Sequence, residues 1–154
     1  MKIIFAFFMS LICIQLYACN NNSEIEREDN SNNNTNTDTM KLKITIGTYI
    51  FIATFYNNTT ATAFKSRLPL TIKMNELNGN EKYFDLSNDL PVNASNPGTI
   101  QTGDLMIYGS DTLVLFYKTF STSYSYTRLG RIDNPEGLAA ALGSGSVTVT
   151  LEVE

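Results

Sequence analysis

Apolar and polar side chains alternate in two stretches of the chain. In residues 41–46 every second side chain is apolar, and after a turn at Gly47 and Thr48 the same period continues through residues 49–55. A period of two is typical of a strand with one buried face, so these residues predict a hairpin. Residues 147–153 alternate in the same way and predict a final strand.

Short apolar runs separated by turn residues fill the sequence between these stretches. Two other segments favour short helices: residues 61–68, which follow Asn and Thr cap residues and end at Pro69, and residues 135–142, with Asn134 as the cap and Pro135 in the first position. Many short strands with two short helices predict a mainly β fold, a closed antiparallel β-barrel whose ends the helices cover. The remaining strands are predicted at residues 70–74, 81–86, 99–102, 105–108, 113–117 and 127–132.

The first 19 residues have the pattern of an export signal. Lys2 precedes an apolar run over residues 3–14, which is shorter than the roughly 20 residues that a membrane-spanning helix needs. The segment ends in Leu16-Tyr17-Ala18-Cys19 and resembles the lipobox of bacterial lipoproteins. This resemblance implies cleavage before Cys19, lipidation of its thiol and anchoring to a bacterial membrane on the extracytoplasmic side, periplasmic or surface. An ordinary secretory signal cut after Ala18 is the alternative.

Residues 20–39 are polar and offer almost nothing to bury. Eight of them are Asn, and Ile25 is the one large apolar side chain. Because so little apolar area can offset the entropy of ordering, we expect a disordered, acidic tether. The chain therefore divides into a signal at residues 1–19, a tether at residues 20–39 and one folded domain at residues 40–154.

Composition excludes several classes of function. The chain contains neither His nor Trp, and its cysteines are Cys13 and Cys19. This removes His-based acid–base catalysis, Ser-His-Asp and Cys-His nucleophiles, and His or Cys metal sites, so we expect no metal and no cofactor. Residues 40–154 carry nine Lys or Arg against ten Asp or Glu, without a basic cluster, which argues against nucleic acid as a partner.

Three segments of the predicted domain resemble the bacterial cyclophilin-like domain proteins, distant relatives of the cyclophilin prolyl isomerases. They are residues 97–105, which read Pro-Gly-Thr-Ile-Gln-Thr-Gly-Asp-Leu, the strand at residues 113–117, and Leu129-Gly130-Arg131-Ile132 ahead of the second helix. The resemblance covers most of residues 40–154 and implies a cyclophilin-like barrel. It also places Phe116 where the family has a Phe of its proline pocket.

The same resemblance does not extend to catalysis. Isomerase activity in the family depends on an Arg and a Gln that face the twisting amide, and on Phe, Trp and His around the proline. Trp and His are absent here, Arg67 falls in the first predicted helix, and Gln101 has no Arg at matching spacing. The resemblance therefore implies the fold without the isomerase chemistry.

The best candidate site is the aromatic segment that follows the strand at residues 113–117. Residues 118–126 are polar and aromatic without a clear period, and we expect them to leave the barrel as an exposed excursion. Phe116, Tyr124, Tyr126 and Arg128 are the candidate ligand-binding residues, because aromatic rings beside a cation make good recognition surfaces. Packing of these rings on the barrel is the competing interpretation.

The sequence thus favours a non-enzymatic, lipid-anchored binding module for a peptide segment or small ligand. Two alternatives stay open. One is an enzyme, either a weak prolyl isomerase or an activity that uses Asp, Arg and Tyr. The other is a structural accessory of a membrane complex.

Overall fold

The structure, a computed structural model, describes residues 40–154. The predicted signal with Cys19 and the predicted tether lie outside these residues. Among residues 40–154, no helix is long and apolar enough to cross a membrane. The elements are β1 (Lys41–Ile46), β2 (Tyr49–Phe55), α1 (Thr59–Lys65), β3 (Leu70–Leu77), β4 (Glu81–Asp85), β5 (Thr99–Ile100), β6 (Asp104–Tyr108), β7 (Thr112–Phe116), β8 (Phe120–Ser121), β9 (Thr127–Ile132), α2 (Leu138–Leu142) and β10 (Val147–Val153).

Eight of these strands form a closed antiparallel barrel in the order β1-β10-β3-β4-β7-β6-β9-β2, and β2 pairs with β1 to complete it. The predicted mainly β barrel is therefore confirmed. In β1, Leu42, Ile44 and Ile46 are buried and alternate with partly exposed residues, as the sequence period predicts. Closure leaves no barrel strand with an unpaired edge.

A close backbone approach helps to seal the barrel between β2 and β9. Gly130 lies opposite Phe55, and a Cβ atom at Gly130 would lie 2.8 Å from the carbonyl oxygen of Thr54. Real Cβ atoms do not come that near to a backbone oxygen, so only glycine fits without a shift of one strand. This explains the glycine in the Leu129-Gly130-Arg131-Ile132 segment.

The two helices cover opposite ends of the barrel. α1 joins β2 to β3 and α2 joins β9 to β10, and because β2 and β9 are antiparallel, these connections fall at opposite ends. Phe64 of α1 and Leu138 and Leu142 of α2 belong to the main core cluster. The helices thus act as apolar lids over the barrel interior.

Both helices are shorter than predicted, and α1 also starts earlier. Asn58 caps α1, since its Oδ1 accepts a hydrogen bond from the Ala61 N–H at 2.8 Å. The prediction of Asn134 as the cap of the second helix was wrong. Its Oδ1 accepts from the Glu136 N–H in a turn, and the left-handed backbone of Gly137 (φ 80°) delays the helix to Leu138.

A small second layer lies on the outside of the barrel. β5 and β8 pair with each other and not with the barrel strands. The segment predicted as an exposed excursion is therefore only partly exposed: Phe120 packs against a second apolar cluster, and Tyr126 belongs to it. This cluster consists of Ile100, Met106, Val114, Phe116 and Tyr126.

Candidate ligand-binding groove

The outer faces of β4, β6 and β7 form the floor of a groove. Residues directly opposite each other in an antiparallel pair share a face, so the pairs Tyr83 with Val114 and Met106 with Val114 place these three side chains together. Met106 and Val114 belong to the second apolar cluster, and Tyr83 packs against it. The floor is therefore built on strands, which hold side chains more rigidly than loops do.

The groove encloses about 480 Å³ between this floor, the β3–β4 turn and residues 120–124. This volume lies within the range of small-molecule sites. We call it the outer groove. Its aromatic walls are Tyr83, Tyr108, Phe120, Tyr124 and Tyr126.

The aromatic rings of the outer groove contact one another in tilted and edge-to-face arrangements. Tyr108 lies 6.2 Å from Tyr124 at 89° and 5.6 Å from Tyr126, measured between ring centroids. Tyr126 in turn meets Phe116 edge-to-face at 5.5 Å. These geometries are the favourable ones for aromatic pairs, and they hold the walls in a defined shape.

Two carboxylates line the outer groove, those of Glu81 and Asp85, and Glu81 is the one near the β3–β4 turn. It is 8% exposed and lies opposite Phe116, so its side chain is on the outer face of the barrel. Within residues 40–154 its carboxylate forms neither an ion pair nor a hydrogen bond. Burial raises the pKa of the Glu81 carboxyl above its ordinary value, and the negative charge of Glu76 raises it further. The neighbouring Asn80 also lines the groove, and its Oδ1 is a buried acceptor without a partner in the described part of the chain.

The four predicted site residues do not all lie in the outer groove. Tyr124 and Tyr126 line the outer groove, Tyr124 being 61% exposed and Tyr126 buried. Phe116 is fully buried below Phe120 and Tyr126, so it supports the groove from beneath. Arg128 is exposed on β9 and is not part of the groove lining.

Glu81, Tyr83 and Tyr108 also line the groove, and the sequence pattern does not single them out as site residues. The sequence does place Glu81 and Tyr83 on one face of β4, because they alternate with Lys82 and Phe84. Alternation alone marks such a face as solvent-facing. Only the position of residues 120–124 above β4 and β7 shows that this face is covered.

A separate polar network fills one end of the barrel interior. Lys82 is fully buried on the face of β4 that carries the core residue Leu115. Its ammonium donates to the Glu76 carboxylate and to the carbonyl oxygens of Gly143 and Gly145, at 2.8 and 2.6 Å. The network therefore ties the β3–β4 hairpin to the segment after α2.

Tyr117 completes this network. Its hydroxyl donates to both Glu76 oxygens at 2.8 and 2.9 Å, and its ring centroid lies 5.6 Å from the Lys82 ammonium. Burial raises the pKa of Tyr117 to about 12, and the hydrogen bond to Glu76 contributes. Burial would also raise the pKa of Glu76, but hydrogen bonds from Lys82, Tyr117 and the Gly79 N–H lower it below its ordinary value. Every charged group here has a partner, which is typical of a structural network.

Two further carboxylates, those of Asp85 and Asp104, are engaged in strand and turn contacts. Asp85 accepts from the Thr112 hydroxyl, and the Asp104 carboxylate accepts from the Gln101 N–H, both at 2.8 Å. Burial raises the pKa of Asp104, although the Gln101 N–H and the charge of Arg131 partly oppose this. Across residues 40–154 no group of three Asp, Glu, Cys or His residues is placed to hold a metal ion.

The closed eight-stranded barrel with a covering helix at each end and a groove on its outer face defines a cyclophilin-like β-barrel protein. The sequence model of the Cyclophilin-like family matches residues 44–152, and the chain therefore belongs to that family. The solution structure of the hypothetical protein AF2241 from Archaeoglobus fulgidus is similar, with a TM-score of 0.50 and 19% identity over 75% of this chain and 95% of that one. At this identity the likeness shows the fold alone. A comparison with curated proteins gives no match.

Proposed function

We propose that the barrel is a non-enzymatic binding module that takes a peptide segment or a small ligand in the outer groove. The observation that carries this proposal is the groove itself, about 480 Å³ with aromatic walls and, at one end, the carboxylate of the largely buried residue Glu81. Tyr side chains supply large contact areas at low cost in side-chain entropy, which suits them to recognition. The strand-built floor adds the rigidity that binding requires.

The composition of the groove supports binding rather than prolyl isomerisation. Among residues 40–154, neither an Arg nor a Gln lines the groove. Arg67 instead donates to the carbonyl oxygens of Asn88 and Asp89, at 2.7 and 2.6 Å, and so holds the loop after β4 against α1. Rotation about an X-Pro bond faces a barrier of about 18–20 kcal/mol, and lowering it needs donors aimed at the amide.

Attachment to a bacterial membrane through an acylated Cys19 is the second part of the proposal. It rests on the lipobox pattern at residues 16–19 and on the polar composition of residues 20–39, which suits a tether. Mass spectrometry of the mature N-terminus should find diacylglycerol on Cys19, and Cys19→Ala should move the protein from the membrane to the soluble fraction. Recovery of an unmodified mature N-terminus from wild-type cells would contradict the anchor.

Ligand titrations with a single-residue variant test the groove. Fragments and short peptides are titrated into the ¹⁵N-labelled full-length protein, and ligands should shift the amide signals of Tyr83, Tyr108 and Tyr124. For any ligand found, Tyr124→Ala should weaken binding by more than about 2 kcal/mol, as truncations of central contact residues do.

Tyr49→Ala is the matched control for this experiment. Tyr49 is also an exposed tyrosine on the barrel, at 49%, but it lies on β2 and does not line the groove. The control should leave affinity unchanged. Ligands that bind with shifts confined to other surfaces, or with equal losses for both variants, would overturn the assignment of the groove.

A further inference from the structure

Glu81 is a largely buried residue that lines the outer groove, and its carboxylate has no partner within residues 40–154. The residue is more than nine-tenths buried, and within residues 40–154 neither a cation nor a hydrogen-bond donor contacts its carboxylate. A carboxylate on a residue this buried is normally paired, because the loss of surrounding water disfavours its charged form. Glu81 lines the outer groove and its oxygens are not fully buried, so a bound molecule can reach them.

The nearest lysine in the sequence cannot supply the missing charge. Lys82 follows Glu81 directly, but successive side chains of a strand point to opposite faces. The Lys82 ammonium lies in the barrel interior, where Glu76 and two carbonyl oxygens bind it. The nearby charge that does act on Glu81 is the negative charge of Glu76. Among the groove-lining residues the charged side chains are the carboxylates of Glu81 and Asp85, so the groove favours a cation arriving from outside.

Aromatic rings stand beside this carboxylate. Tyr126 is close enough for the charge of Glu81 to contribute to the rise in its pKa, after burial as the main cause. Tyr83, Tyr108 and Tyr124 line the same cavity. Rings of this kind attract cations to their faces, and they also cover the alkyl stem of a long cationic side chain. The chain contains such contacts already, with the Lys82 and Lys118 ammonium groups 5.6 and 6.0 Å from the ring centroid of Tyr117.

We propose that the outer groove recognises an organic cation, an ammonium or guanidinium group on an alkyl chain. This proposal rests on the binding function proposed above. The cationic group pairs with the Glu81 carboxylate, and the alkyl stem lies along Tyr83, Tyr108 and Tyr124. The same chemistry occurs in the side chains of Lys and Arg within a peptide and in free alkyl amines.

Three probes separate charge from shape and peptide from free amine. They are the capped peptide acetyl-Ala-Arg-Ala-amide, the same peptide with citrulline in place of Arg, and agmatine. Citrulline has the size of Arg without its charge. Each probe is titrated into the ¹⁵N-labelled full-length protein, and signals from the groove are followed. We expect the Arg peptide to bind at least tenfold more tightly than the citrulline peptide.

Two charge-removing variants locate the effect. Glu81→Gln keeps the shape of the side chain and should abolish the preference for Arg over citrulline. Glu136→Gln removes the same charge from an exposed position outside the groove and should keep the full preference. Circular dichroism of both variants confirms that the barrel is intact.

The agmatine titration tells which source supplies the cation. Binding of agmatine as tight as that of the Arg peptide indicates a free amine as the ligand, and much weaker binding indicates a peptide side chain. Both results support the cation site.

The failures of the two proposals are distinguishable. If both peptides shift groove signals with equal affinity, or if Glu81→Gln keeps the preference, the groove binds ligands but the cation site is wrong. If the three probes and the wider set of fragments and peptides all leave the groove signals unchanged, both the binding function and the cation site are wrong.

Discussion

Replacement of Lys82 by Met should destabilise the barrel far more than replacement of Lys73, the other lysine of β3 and β4. Lys82 is fully buried, and its ammonium binds the Glu76 carboxylate and the carbonyl oxygens of Gly143 and Gly145. Met fills a similar volume, so the change removes the charge and three hydrogen bonds while keeping most of the packing. What remains is a carboxylate without its cation and two carbonyl oxygens without donors.

The size of the loss follows from the exposure of Glu76. Removal of one partner of a buried ion pair costs roughly 3–5 kcal/mol, because the other charge stays buried. The Glu76 side chain is 23% exposed and keeps hydrogen bonds from Tyr117 and the Gly79 N–H, so we expect the lower end, about 3 kcal/mol. For a domain of this size that corresponds to a fall in Tm of roughly 12 °C.

Urea unfolding of the full-length protein, followed by circular dichroism, measures this loss at constant m-value. Lys73→Met is the control, because Lys73 is exposed on β3 and forms no ion pair among residues 40–154. It should change the free energy of unfolding by less than about 0.5 kcal/mol.

The loss should also depend on pH. Because the pKa of Glu76 is lowered, its ion pair contributes stability at pH values above the ordinary pKa of 4.5, and this contribution is lost as the pH falls and Glu76 becomes protonated. The deficit of Lys82→Met should shrink over the same range. A loss below about 1 kcal/mol at pH 7 would refute the reasoning.

Three further predictions concern stability and activity. Glu81→Gln should raise Tm at pH 7, because the raised pKa of the Glu81 carboxyl means that its ionisation destabilises the fold as the pH rises. The gain in Tm should vanish below pH 4.5, where wild-type Glu81 is protonated. A gain that does not change with pH would contradict this prediction. Gly130→Ala should lower the free energy of unfolding by about 1–3 kcal/mol, measured by thermal or urea unfolding, because the new Cβ would lie 2.8 Å from the Thr54 carbonyl oxygen. Gly145→Ala is the control and should cost much less, because no atom lies within 4 Å of a Cβ at Gly145. Prolyl isomerase activity on a standard X-Pro peptide should be absent or marginal, and a rate within tenfold of an authentic cyclophilin would overturn the non-enzymatic proposal.

Local pattern determined much of the architecture. The period of two in residues 41–55 and 147–153 predicts strands with one buried face, and β1, β2 and β10 confirm it because burial follows the pleat of a strand. The count of short strands with two short helices led to the correct fold class, and the family match over residues 44–152 confirms the resemblance drawn from residues 97–105 and 129–132. Helix bounds were less accurate, since the backbone conformation of Gly137 decides where α2 begins.

The tertiary structure decided which polar and aromatic residues are buried, because their partners are distant in sequence. Lys82 becomes a core residue only because carbonyl oxygens 61 and 63 residues away reach its ammonium. Tyr124 and Tyr126 are two residues apart in one polar segment, yet one is exposed and the other is buried against Phe116. Glu81 belongs to an aromatic groove because residues 120–124, far along the chain, cover the outer face of β4. Alternation tells which side chains share a face of a strand, and only the packing of the whole chain tells what lies on that face.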